Sequence, residues 1–383
     1  MRLILEDGLT TQLNPAGIGQ YTLRLYQALQ SHAVESIGAE EALDVRLYRH
    51  PYLGRKYHRV LRRLLYLTWL NLVAPTQHAA AGIDVVHFTN FYIPFWRKSW
   101  RRAGYVATIH DLVPWTVPQT LPEKAVRFHK WTVKWAIQCA DQIITPTETV
   151  KKEILEWLPG VRREKVVACC YTYRHHNQIE PDGSANRDSK QNRYFLFVGT
   201  LERRKNVVTL VRAFSMLLKG SGRRDLLLWL IGKQGFGFDE IKAAIREEAL
   251  GDCVRIGGYV EQSQIGLVYN SALALIMPSL YEGFGIPVLE GMWHGTPVIA
   301  SDIPVFREIA GDAALFYGLP LDRNGLASSM ERVLLDADLC TELTTRGRAH
   351  AARFSSNRVA TEHLAAYEHL LKDAGQRRFA LPV

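Results

Sequence analysis

The protein is a chain of 383 residues, long enough for two domains of average size. Apolar residues make up 47% of it, which excludes general disorder. The net charge is +9, and residues 1–180 carry most of the excess, with 23 Lys and Arg against 15 Asp and Glu. The five cysteines include no Cys-x-x-Cys pair, which argues against a disulfide framework or a structural zinc site and favours a reducing cytoplasm.

Short aliphatic runs alternate with amphipathic segments in the first half of the chain. The runs lack the apolar and polar alternation of half-exposed strands, so they predict parallel strands buried on both faces. They lie at residues 3–5, 45–48, 85–88, 105–109, 142–145 and 166–168. The intervening segments, such as 20–32, have apolar faces typical of surface helices. The pattern predicts a doubly wound α/β domain over residues 1–180.

The composition changes over residues 174–193, where glycine, proline, asparagine and aspartate predict an interdomain linker or exposed loop. A second α/β domain is predicted over 194–355, and the apolar stripe of 356–383 predicts a helix that packs back on the first domain. The strands of the second domain are predicted at 194–198, 226–231, 254–256, 273–277, 297–300 and 315–316. Two such domains facing across a cleft would bind ligands at the carboxyl ends of their strands.

Two glutamates follow the predicted strand at 273–277. Glu282 and Glu290 stand eight residues apart, separated by a glycine-rich segment and the start of a predicted helix of about two turns. The N-terminus of such a helix favours a phosphate, and a carboxylate can accept hydrogen bonds from two hydroxyls of a sugar or ribose. Taken alone, Glu282 is better explained as a surface loop residue and Glu290 as a partner of the helix dipole. The two together at this spacing are more specific.

Three cations follow the predicted strand at 194–198. Arg203, Arg204 and Lys205 would lie at a strand end, where they can meet a diphosphate and stabilise the charge that develops as a glycosidic bond breaks. The alternative is a solvated basic turn, which is common on protein surfaces. A third candidate is the glycine turn with Gly17 and Gly19, which we expect directly before the helix at 20–32.

These motifs together resemble glycosyltransferase family 4, retaining enzymes of the GT-B fold with two Rossmann-like domains and a Glu-x7-Glu signature. The resemblance implies that Glu282 and the amides of the following loop hold the donor sugar, and that Glu290 binds the nucleotide ribose. Arg204 and Lys205 match the family's cationic turn, whereas Arg203 stands where the family commonly has proline. Further donor contacts are implied for Gly17, Gly19, Gly283, Phe284, Gly285, Ile286 and Leu289.

His110 and Asp111 follow the predicted strand at 105–109. A histidine in this position is more often a packing or capping residue than a catalyst. In family 4 a His-Asp pair at this point approaches the transferred sugar, so the resemblance implies that His110 contacts that sugar and stabilises charge, with Asp111 beside it. The predicted catalytic residues are therefore His110, Glu282, Arg204 and Lys205.

No metal site and no cofactor are predicted. Asp336 and Asp338 form an Asp-x-Asp pair in a helical region away from any strand end, so we interpret them as a helix cap. Arg204 and Lys205 are expected to replace a divalent ion at the diphosphate. The resemblance implies front-face transfer with retention, in which the departing phosphate takes the acceptor's proton. GDP-mannose is the first choice of donor, by similarity to bacterial mannosyltransferases of surface polysaccharides, with UDP-glucose and dTDP-rhamnose as alternatives.

Basic residues lie next to Trp and Leu at 46–70 and at 96–102, a composition that favours an anionic membrane surface. With no span predicted, we expect a cytoplasmic enzyme, peripheral on the inner face of the cell membrane, whose acceptor is a glycan or lipid-linked oligosaccharide. Nucleic acid is not an expected partner, since no reading motif accompanies the charge. The alternatives are a nucleotide-sugar 2-epimerase or a phosphorylase on the same fold, or a non-catalytic nucleotide-binding module.

Overall fold

The computed structural model describes residues 1–6, 17–35, 43–48, 68–94, 103–172, 193–258 and 260–379. The chain forms two compact units. Unit 1 comprises Met1–Leu112, Arg127–Asn177 and Phe354–Val383, and unit 2 comprises Val113–Val126 and Gln178–Arg353. The predicted linker, up to residue 192, and most of the two basic clusters lie outside the described residues.

The sheet of unit 1 is parallel, and its inner strands are almost wholly buried. Its strand order is β2-β1-β3-β4-β5-β6. The chain direction across the sheet therefore reverses between β1 and β3, the point at which ligands bind in doubly wound folds. The strands are β1 (Arg2–Glu6), β2 (Asp44–Tyr48), β3 (Val85–Phe88), β4 (Gly104–Thr108), β5 (Gln142–Thr145) and β6 (Val166–Ala168).

The sheet of unit 2 is also parallel, with the order β12-β11-β10-β7-β8-β9. Its switch point lies between the neighbours β7 and β10. The side chains of β7 and β8 pack on flanking helices in a core that includes Phe195, Phe197 and Phe214. The strands are β7 (Arg193–Val198), β8 (Leu226–Ile231), β9 (Val254–Gly257), β10 (Ala274–Met277), β11 (Val298–Ala300) and β12 (Leu315–Phe316).

Helices connect the strands in both units, as parallel strands require. In chain order they are α1 (Gly17–Glu35), α2 (Ala74–Ala80), α3 (Val113–Thr116), α4 (Glu123–Cys139), α5 (Glu148–Trp157), α6 (Val207–Ser221), α7 (Phe238–Glu247), α8 (Gln262–Asn270), α9 (Ile286–Trp293), α10 (Pro304–Ala310), α11 (Arg323–Leu335), α12 (Ala337–Ala351) and α13 (Ser356–Phe379). No helix in the described part of the chain has the length and hydropathy needed to span a bilayer.

A chain of buried side-chain hydrogen bonds joins α13 to the sheet of unit 1. The Nδ1 atom of His363 lies 2.8 Å from the carbonyl of Val359 and must donate to it, so its Nε2 accepts from the hydroxyl of Tyr21 at 3.0 Å. Thr108 then connects Tyr21, at 3.2 Å, with Nε2 of His87 at 2.7 Å. All of these ring and hydroxyl groups are buried, and burial lowers the pKa of His363 to about 4.

The predicted doubly wound α/β class is confirmed, and each predicted strand overlaps an observed one. Two details differ. Helix α1 begins at Gly17, so Gly17 and Gly19 lie in its first turn and not in a preceding loop. Glycine is compatible with this position because the first N–H groups of a helix have no hydrogen-bond partner within the helix. Residues 113–126 were predicted in the first domain but group with unit 2, where Gln119 and Thr120 line a cavity with α6 and α7.

Candidate active site

The loops that follow β7 and β10 meet at the carboxyl edge of unit 2. After β7 the chain makes a tight turn over Arg203–Lys205, and the loop after β10 runs from 278 to 285. The backbone amide of Leu280 donates to the carbonyl of Arg204 at 2.9 Å. The side chain of Asn206, in a left-handed conformation with φ 54°, donates to the carbonyl of Pro278 at 3.0 Å. The switch point therefore holds the two predicted motifs side by side.

Glu282 lies at the centre of a buried ionic cluster. Its side chain is paired with Lys205, and it accepts a hydrogen bond from Nη1 of Arg204 at 2.7 Å and another from the hydroxyl of Ser279 at 2.7 Å. Burial alone would raise the pKa of Glu282, but the charges of Lys205 and Arg204 and these hydrogen bonds lower it to about 2. The carboxylate is therefore ionised at neutral pH.

The cluster retains binding capacity for a ligand. An ionised carboxylate has about four acceptor positions, so its three bonds leave Glu282 room for one sugar hydroxyl, where the sequence suggested two. The ammonium of Lys205 has three donors, and among the described residues it donates to Glu282 alone. Burial and the neighbouring Arg204 lower the pKa of Lys205, while Glu282 opposes that shift. Lys205 can therefore offer two N–H groups to an anion.

Arg203 and Arg204 are adjacent in sequence but have different partners. Arg204 is held between Glu282 and Glu202, donating to Glu202 at 2.8 Å. Arg203 instead pairs with Glu240 on α7 at 2.7 Å, and its guanidinium lies 4.8 Å from the ring centroid of Phe236. Arg203 therefore supports the loop before α7 and is not part of the Glu282 cluster.

The glycine-rich loop enters α9 through Gly285, which has φ 105°. A Cβ atom there would lie 2.8 Å from the ring of Phe306, so glycine is required both for conformation and for space. Pro287 occupies the first turn of α9, as predicted, and Ile286 is partly exposed at the helix start. The other predicted donor contacts in this segment, Gly283, Phe284 and Leu289, are buried, so the side chain of Leu289 belongs to the core.

Glu290 lies at the beginning of the second turn of α9, near the start of this helix of eight residues. Its Oε2 atom accepts a hydrogen bond from the hydroxyl of Tyr269 at 2.9 Å. Tyr269, on α8, is fully buried and stacks on His294 with a ring-centroid distance of 5.7 Å. Glu290 therefore has a rigid aromatic support that fixes its carboxylate.

His110 lies just beyond β4 at the carboxyl edge of unit 1 and is held at both ring nitrogens. Its Nε2 donates to the carbonyl of Thr89 at 2.8 Å, which leaves Nδ1 to accept from the hydroxyl of Tyr171 at 2.5 Å. Burial lowers the pKa of His110 against the opposing charge of the partly buried Asp111. The ring is therefore neutral near pH 7.

The first turns of α1 lie next to this histidine. The hydroxyl of Thr22, on α1, donates to the hydroxyl of Thr89 at 2.8 Å, and Thr89 is the residue whose carbonyl binds His110. The ring of Tyr21 packs edge-on against His110 with a centroid distance of 5.3 Å. Through these contacts the structure gathers the glycine turn and His110, predicted separately, at one edge of unit 1.

Several residues of this site were missed by sequence reasoning. Ser279 and Tyr269 act through tertiary contacts that no spacing rule reveals. Glu202 and Asn206 flank the predicted cations directly, so their polarity within the motif was an available signal.

No three His, Cys, Asp or Glu side chains among the described residues are grouped so as to hold a metal ion. Asp336 accepts a hydrogen bond from the amide of Leu339 at 2.8 Å and caps α12. The interpretation as a helix cap is therefore confirmed for Asp336, whereas Asp338 lies in the first turn of the helix.

Two family models match this chain and together span most of it. Residues 15–169 match the model described as "Glycosyltransferase Family 4" and residues 180–350 the model described as "Glycosyl transferases group 1". These segments carry the His110 edge and the Glu282 cluster, respectively.

Relatives and solved structures agree with both models. O-antigen chain mannosyltransferase B of Escherichia coli is 29% identical over 92% of this chain and 96% of its own length. O-antigen chain mannosyltransferase RfbU of Salmonella typhimurium is 27% identical over 59% of this chain and 60% of its own length. Sucrose-phosphate synthase from Thermosynechococcus elongatus shares the fold, with TM-score 0.76 at 20% identity, over 97% of this chain and 100% of that one. The chain belongs to the family 4 glycosyltransferases of the GT-B fold.

Proposed function

We propose that this glycosyltransferase moves mannose from GDP-mannose, with retention, to a growing surface polysaccharide. The observation that carries the proposal is the buried cluster of Glu282, Arg204 and Lys205 at the switch point of unit 2. The similarity to O-antigen mannosyltransferases over nearly the whole chain supports mannose as the sugar and a lipid-linked glycan as the acceptor.

The cluster would act on the leaving group. As the bond between the anomeric carbon and the phosphate oxygen breaks, negative charge grows on the diphosphate, and Lys205 and Arg204 offer preorganised donors to it. The acceptor hydroxyl forms the new bond on the same face, and its proton moves to the departing phosphate. Glu282 would hold one hydroxyl of the donor sugar and keep both cations in place, and Glu290 would bind the ribose.

We further propose that transfer needs no added divalent metal, because two fixed cations can offset the charge that Mg²⁺ or Mn²⁺ would neutralise. The expected result is full activity in the presence of EDTA. Complete loss with chelator and recovery with Mg²⁺ would contradict it.

The first test is a comparison of nucleotide sugars by thermal shift and turnover. A donor at a hundredfold its dissociation constant stabilises the folded state by about 2.7 kcal/mol, so GDP-mannose should raise the melting temperature more than UDP-glucose or dTDP-rhamnose. NMR of the product should show the α-anomer, as in the donor. Donor turnover without any acceptor requirement would favour the epimerase alternative, and binding without turnover the non-catalytic module.

The acceptor is proposed to be presented at an anionic membrane surface that unit 1 contacts from the cytoplasmic side. In the described residues, the face of α4 with Arg127, Trp131 and Lys134 has the composition of such a surface, and Trp131 is 50% exposed. The test is co-sedimentation with phosphatidylglycerol vesicles. Neutralising Arg59, Arg62 and Arg63 together, or Arg127 and Lys134 together, should reduce the bound fraction; unchanged binding in both variants would contradict the proposal.

A further inference from the structure

Asn90 lies at the switch point of unit 1. It is the second residue after β3, next to Thr89, whose carbonyl binds His110. The neighbouring strand is β1, and the order of strands reverses between the two. The general rule for doubly wound sheets therefore predicts a ligand at Asn90, independently of any sequence motif.

The orientation of the Asn90 amide is determined by the backbone. Its Oδ1 atom accepts a hydrogen bond from the amide N–H of Tyr92 at 2.7 Å, a turn in which only the oxygen of the amide can take part. Nδ2 must therefore occupy the other position. The side chain cannot flip without losing this bond.

The Nδ2 group of Asn90 is buried and has no acceptor among the residues that the structure describes. The residue is 2% exposed, and Nδ2 makes no hydrogen bond within the described part of the chain. Buried amide donors in native proteins find an acceptor in protein, ordered water or ligand. An aspartate would form the same turn through its oxygen, so the turn alone does not explain an asparagine at this position.

The surroundings indicate what kind of acceptor fits. The polar groups at this edge include the hydroxyls of Thr89 and Thr22 and the uncharged ring of His110. Two carboxylates lie at the same edge: the buried Glu6, whose carbonyl accepts from the amide of Thr89, and Asp111 beside His110. The neutral amide donor of Asn90 suits an uncharged oxygen better than a phosphate, for which the cations Arg204 and Lys205 of unit 2 are the better partners. A sugar hydroxyl is such an oxygen, and it can replace a water at this position without loss of hydrogen bonds.

We propose that Asn90 is a substrate-binding residue whose Nδ2 donates to a sugar oxygen bound beside His110. This inference rests on the proposed function, since it takes the ligand of unit 1 to be a saccharide. The oxygen belongs either to the acceptor glycan or to the transferred sugar, and the kinetics separate the two.

The test uses Asn90→Asp, which keeps the acceptor for the Tyr92 amide and removes the donor. Asn90→Ser, which also retains a turn-forming oxygen, is the second variant in case the carboxylate impairs folding. Asn357→Asp, on the exposed face of α13, is the matched control. We expect kcat/KM to fall about 10-fold in Asn90→Ser, the typical effect of one lost hydrogen bond, and further in Asn90→Asp. The control should match the wild type.

Two kinetic arms identify the source of the oxygen. If it belongs to the acceptor, the acceptor KM rises and the slow hydrolysis of GDP-mannose without acceptor is unchanged. If it belongs to the transferred sugar, kcat and that hydrolysis fall together. In either case the thermal shift caused by GDP alone stays at the wild-type value, because GDP is proposed to bind unit 2.

The proposal is overturned if a folded Asn90 variant transfers mannose with wild-type kcat and wild-type KM for both substrates. A wild-type enzyme that transfers no mannose would instead refute the proposed function. Ligand-observed NMR with methyl α-mannoside then decides the role of Asn90. Methyl α-mannoside binding that is seen in the wild type and lost in Asn90→Asp supports a sugar-binding role for Asn90. Equal binding by the two proteins, or no binding by the wild type, contradicts that role.

Discussion

The two units have the same architecture and different chemistry at the same place. In each, the proposed site lies at the carboxyl edge of the parallel sheet, at the switch point or one strand away from it. In unit 2 this edge is ionic, with Glu282 buried between Arg204 and Lys205. In unit 1 the proposed sugar contacts are neutral: the uncharged ring of His110 and the amide of Asn90.

The difference follows from what each edge is proposed to bind. A diphosphate leaving group gains charge during the reaction, so fixed cations stabilise the transition state more than the ground state. Sugar hydroxyls stay neutral throughout, and neutral donors and acceptors bind them without the desolvation cost of buried ions. On this proposal, one fold serves two kinds of ligand through the residues that follow its strands.

The largest effect is expected from breaking the ionic edge. Lys205→Met should lower kcat by about 10²–10³-fold, the range typical for the loss of one preorganised charge stabiliser. The measurement is mannosyl transfer at saturating donor, with folding checked by circular dichroism. Lys219→Met, on the exposed side of α6, is the matched control and should keep the wild-type rate. A Lys205 variant with more than a tenth of wild-type kcat would contradict the assigned role.

The neutral groups of unit 1 should respond to acid. The pKa of His363 is lowered to about 4 by burial, from the ordinary value of 6.5, so below pH 6.5 the unfolded state binds a proton that the folded state does not. The contribution of neutral His363 to the free energy of unfolding is therefore complete above pH 6.5. It falls by about 3 kcal/mol as the pH drops to 4. The measurement is urea unfolding at pH 7 and pH 4.5.

His363→Gln keeps an acceptor for Tyr21 and cannot titrate in this range. Its stability should fall less steeply between pH 7 and pH 4.5 than that of the wild type. Equal pH dependence in the two proteins would show that the buried hydrogen-bond chain does not control acid stability.

A smaller effect should sharpen the distinction between the diphosphate and ribose contacts of unit 2. Tyr269→Phe removes the hydrogen bond that fixes Glu290, and bonds to charged groups contribute about 1.5–3 kcal/mol, so the donor KM should rise about 10-fold or more with little change in kcat. The measurement is donor-dependent kinetics, repeated with a 2′-deoxyribose donor. If Tyr269 acts through the ribose, the donor KM of the variant and of the wild type should differ less with the deoxy donor. A ratio of the two KM values that is the same for both donors would contradict this.

The smallest effect is expected at Arg203. It lies beside Arg204 in sequence but forms a half-exposed ion pair with Glu240, a type of contact that contributes about 0.2–1 kcal/mol. Arg203→Ala should keep transfer activity within about twofold and lower stability by no more than that amount. A loss of activity like that of Lys205→Met would mean that the turn works as one unit.

Sequence patterns predicted the strands well because each is short, aliphatic and buried on both faces, which is a local property. They also predicted Glu282, Arg204 and Lys205 as donor-site residues, since all three follow strands and the carboxyl ends of parallel strands share an edge. They could not predict strand order, which depends on pairing between distant segments. The family resemblance already set Arg203 apart from Arg204, but it could not give their partners, because the direction of each side chain depends on the 3₁₀ turn and on Glu240.

The amino-acid sequence by itself determined the α/β class, the positions of the strands and the residue types of the charged motif, because these depend on local hydrophobicity and spacing. Only the tertiary structure decided that Glu282 is paired with two cations, that both nitrogens of His110 are engaged, and that the buried donor of Asn90 has no acceptor within the described ranges of the chain. Each of these facts depends on which distant groups surround a side chain after folding, and that environment determines both its charge and its remaining hydrogen-bonding capacity.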